Sequence, residues 1–314
     1  MRIIVTGGAG FIGSHVAERA MAEGHEVAVL DDLSTGRREN VPQGAKFYEV
    51  DIRDREATER AMADFKPTAV SHQAAQASVV ISMRDPALDA SVNVVGGLHV
   101  LDAACKAGAE RFIFASTGGA IYGNVAEGAA AEDHPALPVS PYAIHKFCFE
   151  QLLGVYARDG RIQPTVLRYS NVYGPRQDPH GEAGVVAIFS RRALNGQPLT
   201  VFGNEKEGDD GCLRDYVHVS DAVRANLLAL SGQLQVGLIN VATSVATSTR
   251  ELAHAIARFG GSNSAVTSGP PRPGDVARSV LASDLFRAHV GEPLGFEKGL
   301  EETVSWFREQ HRPA

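Results

Sequence analysis

Cysteine is scarce in this sequence, and the pattern of the few that occur argues against cross-linking. Three cysteines occur among 314 residues. They are odd in number, far apart and without a CxxC pair, so they indicate neither a disulfide framework nor a zinc site. His145, His180 and His218 have no ligand spacing on one helix face, and we expect no bound metal. This cysteine usage fits a reducing compartment.

Long apolar runs and an excess of positive charge are also missing. No run reaches the roughly 18 residues of a membrane helix. The N-terminus passes from a short apolar strand into glycines, without a signal-peptide pattern. The formal net charge of -7 disfavours a sequence-independent grip on nucleic acid. We therefore expect a cytoplasmic protein with neither a membrane nor a nucleic-acid partner.

Apolar segments alternate with helix-period stretches in the first half of the chain. Six of them are predicted to be strands: 3–6, 26–31, 46–51, 68–72, 111–116 and 164–170. This order predicts an α/β fold with a doubly wound parallel sheet of the Rossmann type.

The pattern loosens after about residue 171 into loops rich in glycine and proline, interleaved with short elements. We expect a dinucleotide-binding domain over 1–171. Residues 172–314 should form mainly a smaller mixed α/β substrate lobe, with some segments returning to the first domain.

The glycine-rich segment GGAGFIG directly follows the first strand and opens a helix. It contains GxGxxG at Gly8, Gly10 and Gly13, and GxxGxxG from Gly7. Glycine here permits an unusual backbone angle, a close approach to a pyrophosphate, and tight packing of helix on strand. Asp31 closes the second strand, where a carboxylate hydrogen-bonds the adenosine ribose. The alternative is a purely structural turn.

The residues after the second and third strands bear on which dinucleotide binds. A carboxylate at Asp31 would repel a 2′-phosphate and favours NAD, although Arg37 and Arg38 lie near enough in sequence to keep NADP open. Asp51 and Ile52 follow the third strand, where an adenine edge usually sits. Their alternative interpretation is a helix cap and a core residue.

Tyr142 and Lys146 stand four residues apart after a helix start formed by Ser140 and Pro141, so both fall on one helical face. A neighbouring ammonium and an oxidised nicotinamide ring would both favour the tyrosine phenolate. The pair is a candidate for proton transfer with a sugar hydroxyl. On its own the spacing also fits an ordinary surface pair.

The whole chain, from Met1 to about residue 312, resembles the extended short-chain dehydrogenase/reductases, and among them the nucleotide-sugar epimerases of the UDP-glucose 4-epimerase type. The segments that carry the resemblance occur in the family's order: TGGAGFIGSH, DDLSTG, HQAAQ, SVNVVGG, FASTGGAIYG, SPYAIHK, LRYSNVYGPR, LRDYVHVSD and PPRPGD. It implies a UDP-hexose 4-epimerase that interconverts UDP-glucose and UDP-galactose through a transient 4-keto sugar, with Tyr142 as base and Lys146 tuning it.

One segment departs from the family pattern. In relatives with SSSxxVYG the catalytic hydroxyl lies four residues before the tyrosine, and counting back from Tyr122 reaches Gly118. We infer that Thr117 supplies this hydroxyl, with Ser116 as the alternative. Related 4,6-dehydratases carry an Asp-Glu pair after the threonine, because elimination needs a dedicated acid and base. Gly118 and Gly119 stand there instead, which favours epimerisation.

The resemblance also implies further contacts with NAD. Besides the glycines and Asp31, the candidate cofactor-binding residues are Phe11, Ile12, Asp32, Asp51, Ile52, Ala74, Ala75, Asn93, Tyr142, Lys146 and Tyr169. The candidate substrate anchors are Asn171, Phe202, Arg214 and Arg272. Arginine suits a diphosphate because its planar fork makes paired hydrogen bonds. The alternatives are a salt bridge from Arg214 to Asp215 or Asp221, and core packing for Phe202.

Two further matches to the related epimerases imply a substrate specificity and a mode of assembly. Ser279, four residues beyond Asp275, falls where related epimerases carry a bulky tyrosine or a small residue. Its small size implies that UDP-GlcNAc and UDP-GalNAc are accepted too, unless Ser279 merely caps the next element. Family members pair through four helices, which implies a homodimer built from the 86–108 and 142–158 helices.

Two other functions stay open at this point. One is another UDP-sugar enzyme, a uronate 4-epimerase or decarboxylase, for which no basic group facing a sugar carboxylate stands out. The other is a non-catalytic NAD-binding sensor, which the Tyr142 and Lys146 pair disfavours.

Overall fold

A computed structural model describes residues 1–179, 184–272 and 274–310 of the chain. The chain forms two compact units. The first contains Met1–Ile121, Ala136–Arg168 and Ala222–Ile239, and the second contains Tyr122–Pro135, Tyr169–Asp221 and the chain from Asn240 onward. The sequence placed 122–135 in the first domain, whereas the structure groups it with the second unit.

The strands of the described residues follow one another in chain order. They are β1 (Arg2–Thr6), β2 (Glu26–Asp31), β3 (Lys46–Glu49), β4 (Ala69–His72), β5 (Arg111–Thr117), β6 (Gln163–Tyr169), β7 (Asn171–Tyr173), β8 (Leu199–Phe202), β9 (Leu213–Arg214), β10 (Tyr216–His218), β11 (Leu238–Val241), β12 (Thr247–Ser248), β13 (Val266–Gly269) and β14 (Arg278–Ser279).

The helices of the same residues are α1 (Phe11–Ala22), α2 (Arg55–Phe65), α3 (Val79–Arg84), α4 (Pro86–Ala90), α5 (Gly97–Lys106), α6 (Gly118–Ile121), α7 (Pro141–Arg158), α8 (Val185–Leu194), α9 (Val219–Leu230), α10 (Thr249–Gly260), α11 (Asp284–His289) and α12 (Phe296–Gln310). A 3₁₀ turn spans Arg38–Asn40, and a π-helix spans Ser91–Gly96. None of the described helices is long and apolar enough to cross a membrane.

Seven strands form one sheet in the order β11-β6-β5-β4-β1-β2-β3. Strand β1 pairs in parallel with β2 and β4, and the β2–β3 and β4–β5 pairs are parallel as well. The strand order reverses at β1, and such reversals place ligands at the carboxyl ends of the strands. The predicted Rossmann-type sheet is confirmed, and β1 to β6 match the six predicted strands. The seventh strand, β11, was not predicted.

The apolar strand sequences explain why this sheet is buried on both faces. Ile3, Ile4 and Val5 of β1 are each 0% exposed, as a parallel strand covered by helices requires. Ile4 shares one core with aromatic and aliphatic residues of β4, β5, α2, α5 and α7. This core includes Phe114 of β5 and Phe149 of α7, the two elements that carry the predicted catalytic residues.

A π-helix interrupts the helical stretch between α4 and α5. Its residues, Ser91–Gly96, include the predicted cofactor contact Asn93, which is buried. A π-turn holds one more residue than an α-turn and often occurs at functional sites. The extra residue changes the helical phase, so α4 and α5 present different faces to their surroundings.

The second unit contains small sheets of two or three strands, β7 with β10, β9 with β12 and β14, and β8 with β13. Its core combines residues of α8, α10 and α12 with Leu199 and Val201 of β8. This arrangement matches the predicted mixed α/β lobe.

Candidate active site

The glycine turn between β1 and α1 has the backbone that the sequence predicted. Gly7 has φ +66°, and a Cβ there would lie 2.6 Å from the Ala74 amide nitrogen. A Cβ at Gly13 would lie 2.2 Å from the Gly7 carbonyl oxygen. Gly10 precedes α1 and has no side chain to cap it, so the first amides of α1 keep donors for a ligand. Such a cradle fits a pyrophosphate at the helix N-terminus.

Asp31 lies beside this turn at the end of β2. Its carboxylate accepts hydrogen bonds from the Ala9 and Leu33 amides, both at 2.9 Å. Burial raises the pKa of Asp31 above its usual value, and these two amide hydrogen bonds oppose that rise. Asp32 accepts from the amide and the hydroxyl of Ser34. The structure thus joins Asp31 to the glycine turn, whereas Asp32 closes its own exposed loop.

Two arginines left NADP open in the sequence, and both have partners in the structure. The Arg38 guanidinium lies 4.3 Å from the centre of the Phe47 ring, and Arg37 pairs with Glu39 at 3.6 Å. The Arg37 amide also donates to the Ala9 carbonyl at 2.9 Å. The contact between Arg37 and Ala9 holds the segment against the glycine turn.

Asp51 and Ile52 follow β3 as predicted, but Asp51 has a charged partner. Arg53 donates from Nε and Nη2 to its carboxylate, and this pairing lowers the pKa of Asp51. The N-cap of α2 is Asp54, so the alternative of a capping role for Asp51 is wrong. Ile52 is buried and packs against Gly96 of the π-helix.

The loop after β4 is fixed by the π-helix. The Gln76 amide donates to Asn93 Oδ1 at 3.1 Å, and Asn93 Nδ2 donates to the Gln76 carbonyl at 2.9 Å. Ala74 lies against Gly7, and Ala75 lies between these two contacts in the sequence. The structure therefore brings the predicted cofactor residues of the glycine turn, this loop and the π-helix into one connected region.

Helix α7 begins where the sequence predicted. The Ser140 hydroxyl accepts from the Ala143 amide at 3.2 Å, and Pro141 occupies the first helical position. This start places Tyr142 and Lys146 one turn apart on α7. Lys146 Nζ donates to the Ala115 carbonyl at 2.9 Å and lies 4.8 Å from the centre of the Phe114 ring.

The folded chain alone shifts the pKa values of both members of the pair. Burial, followed by the negative charge of Asp89, raises the pKa of Tyr142 to about 12, and a hydrogen bond with Thr117 opposes the rise. Burial lowers the pKa of Lys146 to about 8, against the charges of Asp89 and Glu150. In the protein alone the dominant effects disfavour the phenolate that the sequence predicted, because burial acts on both groups.

The two candidate hydroxyls at the end of β5 have different partners. Thr117 is hydrogen-bonded to the Tyr142 side chain. The buried Ser116 hydroxyl donates to Glu150 Oε1. Glu150 also accepts from the Arg168 guanidinium, at 3.0 Å from Nε and 2.6 Å from Nη2. Thr117 thus belongs to the surroundings of Tyr142, and Ser116 to a buried ion pair.

Sequence reasoning missed two acidic side chains near the pair, Asp89 and Glu150. Both are buried, Asp89 on α4 and Glu150 on α7. Asp89 accepts from His145 Nδ1 at 2.6 Å. The i to i+4 spacing of Lys146 and Glu150 on α7 was a usable signal, whereas nothing local connects Asp89 with His145.

The second unit holds the predicted substrate residues. Asn171 Nδ2 donates to the Asp215 carbonyl at 3.1 Å, and Arg214 donates to the Leu213 carbonyl at 3.0 Å. The buried Asp215 carboxylate accepts from the Thr243 hydroxyl at 2.7 Å and the Ser244 amide at 2.9 Å. The alternative of a salt bridge between Arg214 and Asp215 is therefore wrong.

Two further pairs of predicted residues lie together in this unit. The Arg272 guanidinium lies 3.6 Å from the centre of the Phe202 ring, a cation–π contact. Phe202 is half-buried at the end of β8, next to the core residue Val201. Ser279 is buried on β14, in register with Arg214 of β9. The N-cap of α11 is Ser283, so Ser279 does not cap that helix.

The remaining predicted residues complete the placement. Tyr169 is buried at the end of β6, and Phe11 and Ile12 open α1. His180 lies outside the described residues. Among the described residues no group of three or more histidine, cysteine, aspartate or glutamate side chains could hold a metal ion.

Comparison with known proteins gives these features a context. Residues 3–242 match the family described as the NAD dependent epimerase/dehydratase family. A UDP-glucose 4-epimerase from Mycolicibacterium smegmatis is 44% identical over 98% of this chain and 99% of its own length.

Two solved structures are also similar. The UDP-glucose 4-epimerase of Thermus thermophilus, a complex with NAD, shares 53% identity with a TM-score of 0.93, over 98% of this chain and 99% of that one. The Thermotoga maritima UDP-glucose 4-epimerase with UDP-glucose shares 44% identity with a TM-score of 0.92, over 99% and 100% of the two chains.

The fold and the site together define a dinucleotide-binding α/β protein that carries a tyrosine–lysine pair. The chain belongs to the NAD dependent epimerase/dehydratase family.

Proposed function

We propose that this chain is a UDP-glucose 4-epimerase that uses NAD and leaves it unchanged over a complete turnover. The observation that carries the proposal is the Thr117–Tyr142–Lys146 arrangement at the end of β5 and the start of α7, followed by glycines instead of carboxylates. Similarity over nearly the full length to proteins named UDP-glucose 4-epimerase supports the same activity.

The residues of the first unit fit NAD. A Cβ at Gly7 or Gly13 would collide with neighbouring backbone, and α1 offers its first amides to the pyrophosphate. Asp31 offers a carboxylate to the adenosine ribose, which favours NAD over NADP. A bound NAD would supply a reversible hydride acceptor for carbon 4 of the sugar, so that the hydride could return to the opposite face of that carbon.

The chain's own residues handle the proton. Tyr142 is the base for the 4-hydroxyl and donates the proton back when the carbonyl is reduced. Thr117 is hydrogen-bonded to Tyr142 and shares a hydrogen bond with the same substrate oxygen. Lys146 keeps a positive charge near the phenolate as it forms, which lowers the free energy of the deprotonated state. Gly118 and Gly119 add no acid or base that would eliminate water.

The direct test is interconversion of UDP-glucose and UDP-galactose by the purified protein without added NAD, followed by separation of the two sugars. We expect equilibration in wild type and a loss of roughly a thousandfold or more in Tyr142→Phe, which removes the base. The variant should still retain the dinucleotide. Conversion that consumes NAD stoichiometrically would show a dehydrogenase instead, and an unchanged rate in the variant would exclude Tyr142 as base.

We propose that the second unit anchors the nucleotide. In this proposal Arg214 and Arg272 bind the diphosphate and ribose, Phe202 lies against uracil, and Asn171 donates to a phosphate. The Arg272 contact with Phe202 supports a shared role for these two side chains. Firm anchoring of the nucleotide would leave the sugar free to turn between the two hydride transfers.

Ser279 supports acceptance of the N-acetyl sugars UDP-GlcNAc and UDP-GalNAc. Its small side chain is buried in register with Arg214. We expect Ser279→Tyr to lower kcat/KM for the N-acetyl pair by at least tenfold while changing that for UDP-glucose by less than about threefold. An equal loss on both pairs would contradict this specificity role.

We also propose that the protein is a cytoplasmic homodimer. Exposed apolar side chains on the two predicted interface helices, Val95 at 47%, Ile144 at 49% and Val155 at 42%, support pairing with a second copy. Light scattering after gel filtration should give twice the chain mass for wild type. Val95→Arg with Val155→Arg should give a monomer, and a wild-type monomer would overturn the proposal.

A further inference from the structure

Asp89 is a fully buried carboxylate that bridges two parts of the first unit. One is α7, the base helix, which carries the proposed base, and the other is the cofactor loop, residues 73–78, which follows β4. Its Oδ1 accepts from His145 Nδ1 on α7 at 2.6 Å, and its Oδ2 accepts from Gln76 Nε2 at 2.5 Å. His145 lies between Tyr142 and Lys146 on the same helix. Asp89 therefore holds the turn of α7 that carries the proposed base.

The same carboxylate reaches the proposed cofactor region through Gln76. The Gln76 side chain also donates to the Ser78 carbonyl at 2.9 Å and accepts from the Ser78 amide at 2.6 Å. Its backbone is fixed twice by Asn93 of the π-helix. Movement of Asp89 would thus disturb the base helix and the loop together, because all these contacts belong to one hydrogen-bonded network.

We propose that Asp89 is a positioning residue of the epimerase reaction: it ties the base helix to the cofactor loop, and its negative charge sets the pH range in which the Tyr142–Lys146 pair works. This inference rests on the proposed function and deepens it. Asp89 itself touches neither of the two catalytic side chains in the described contacts.

The charge of Asp89 acts on both members of the pair in the same direction. It raises the pKa of Tyr142 and the pKa of Lys146, the second against burial. Among the described residues, Glu150 of α7 also acts on the pKa of Lys146, His72 of β4 is near enough to feel the charge of Lys146, and His145 of α7 contacts Asp89. Arg168 of β6 neutralises Glu150, and burial lowers the pKa of His72 to about 3, so it is neutral.

Asp89→Asn keeps the size of the side chain and removes its charge. The acid and alkaline limbs of the pH profile of kcat/KM should both move to lower pH by about one unit. The reason is that a carboxylate no longer opposes loss of the protons of Tyr142 and Lys146. The tyrosinate absorbance of the enzyme, with Tyr142→Phe as reference, should report the same shift without turnover. A fall in rate with both limbs unmoved would reduce Asp89 to a structural role and overturn the proposal.

Substitution of His145 tests the same positioning role while Asp89 stays unchanged. His145→Asn can still donate to Asp89 and should keep kcat within about threefold, whereas His145→Leu should lower it about tenfold with KM little changed. Equal activity of the two variants would contradict the positioning role.

The matched control is Asp102→Asn, because Asp102 of α5 accepts from the Tyr156 hydroxyl of the same α7 at 2.5 Å, far along the helix from Tyr142. Its pH profile should equal that of wild type. A wild-type protein without epimerase activity would defeat the proposed function, whereas the tyrosinate titration would still decide the effect of Asp89.

Discussion

Two buried carboxylates flank the proposed catalytic pair, and they are neutralised in different ways. Glu150 forms a two-point ion pair with Arg168, and both side chains are 5% exposed. Asp89 is held instead by an amide and an imidazole, and the imidazole carries a charge only when it is protonated. Glu150 acts on the pKa of Lys146 alone, whereas Asp89 acts on Tyr142 as well.

This difference predicts separate roles for the two carboxylates: one affects the stability of the fold, and the other affects the pKa values of the catalytic pair. A carboxylate paired with a permanent cation contributes little net charge to its neighbours, but the removal of either partner leaves an uncompensated buried charge. A carboxylate held by an amide and an imidazole has no permanent cation beside it, so its charge acts over a longer distance. We therefore expect the ion pair of Glu150 with Arg168 to matter mainly for folding and Asp89 mainly for catalysis.

The largest effect on stability should come from breaking the Glu150 ion pair. Arg168→Met leaves Glu150 buried without its cation and should lower the free energy of unfolding by about 3–5 kcal/mol. Urea unfolding followed by circular dichroism measures this change. Arg55→Met is the control, because the Arg55 pair with Glu59 is exposed and its loss should change stability by less than about 1 kcal/mol. Similar losses in the two variants would contradict the distinction drawn for Arg168.

The two hydroxyls at the end of β5 should show the next largest contrast. Thr117→Val removes the hydrogen bond to Tyr142 and a donor to the substrate oxygen, so kcat should fall about a hundredfold. Ser116→Ala removes only a donor to Glu150 and should change kcat by less than about fivefold. Steady-state kinetics on UDP-galactose measures both. The reverse order would assign the catalytic hydroxyl to Ser116.

The smallest effect should come from exchanging the whole ion pair for neutral groups. Wild-type activity should fall as the pH rises through about 8, where Lys146 loses its proton. The double variant Glu150→Gln with Arg168→Met removes one charge of each sign, so this limb should move by less than about 0.3 pH units. A shift as large as that expected for Asp89→Asn would show that Glu150 also tunes the pair.

The sequence predicted those features that depend on local patterns. Apolar strand runs locate β1 to β6, and the Ser140–Pro141 start of α7 places Tyr142 and Lys146 on one face. Strand β11 was missed because it lies outside the alternating pattern of the first half of the chain and joins the sheet beside β6, a pairing that no local pattern indicates.

Long-range pairing accounts for the rest. Asp89 and His145 are 56 residues apart, and only the packing of α4 against α7 brings them together. The upward shift of the Tyr142 pKa in the chain alone could not be predicted for the same reason, since burial is a property of the folded chain.

The π-helix at Ser91–Gly96 has a consequence for the length of this segment. Its extra residue lets Asp89 reach α7 while Asn93 reaches the loop after β4. Deleting one residue here would restore a regular helix but rotate the parts before and after it by about 100° relative to each other. The segment should therefore tolerate a change of side chain more readily than an insertion or deletion, so its residue count is under stricter constraint than its composition.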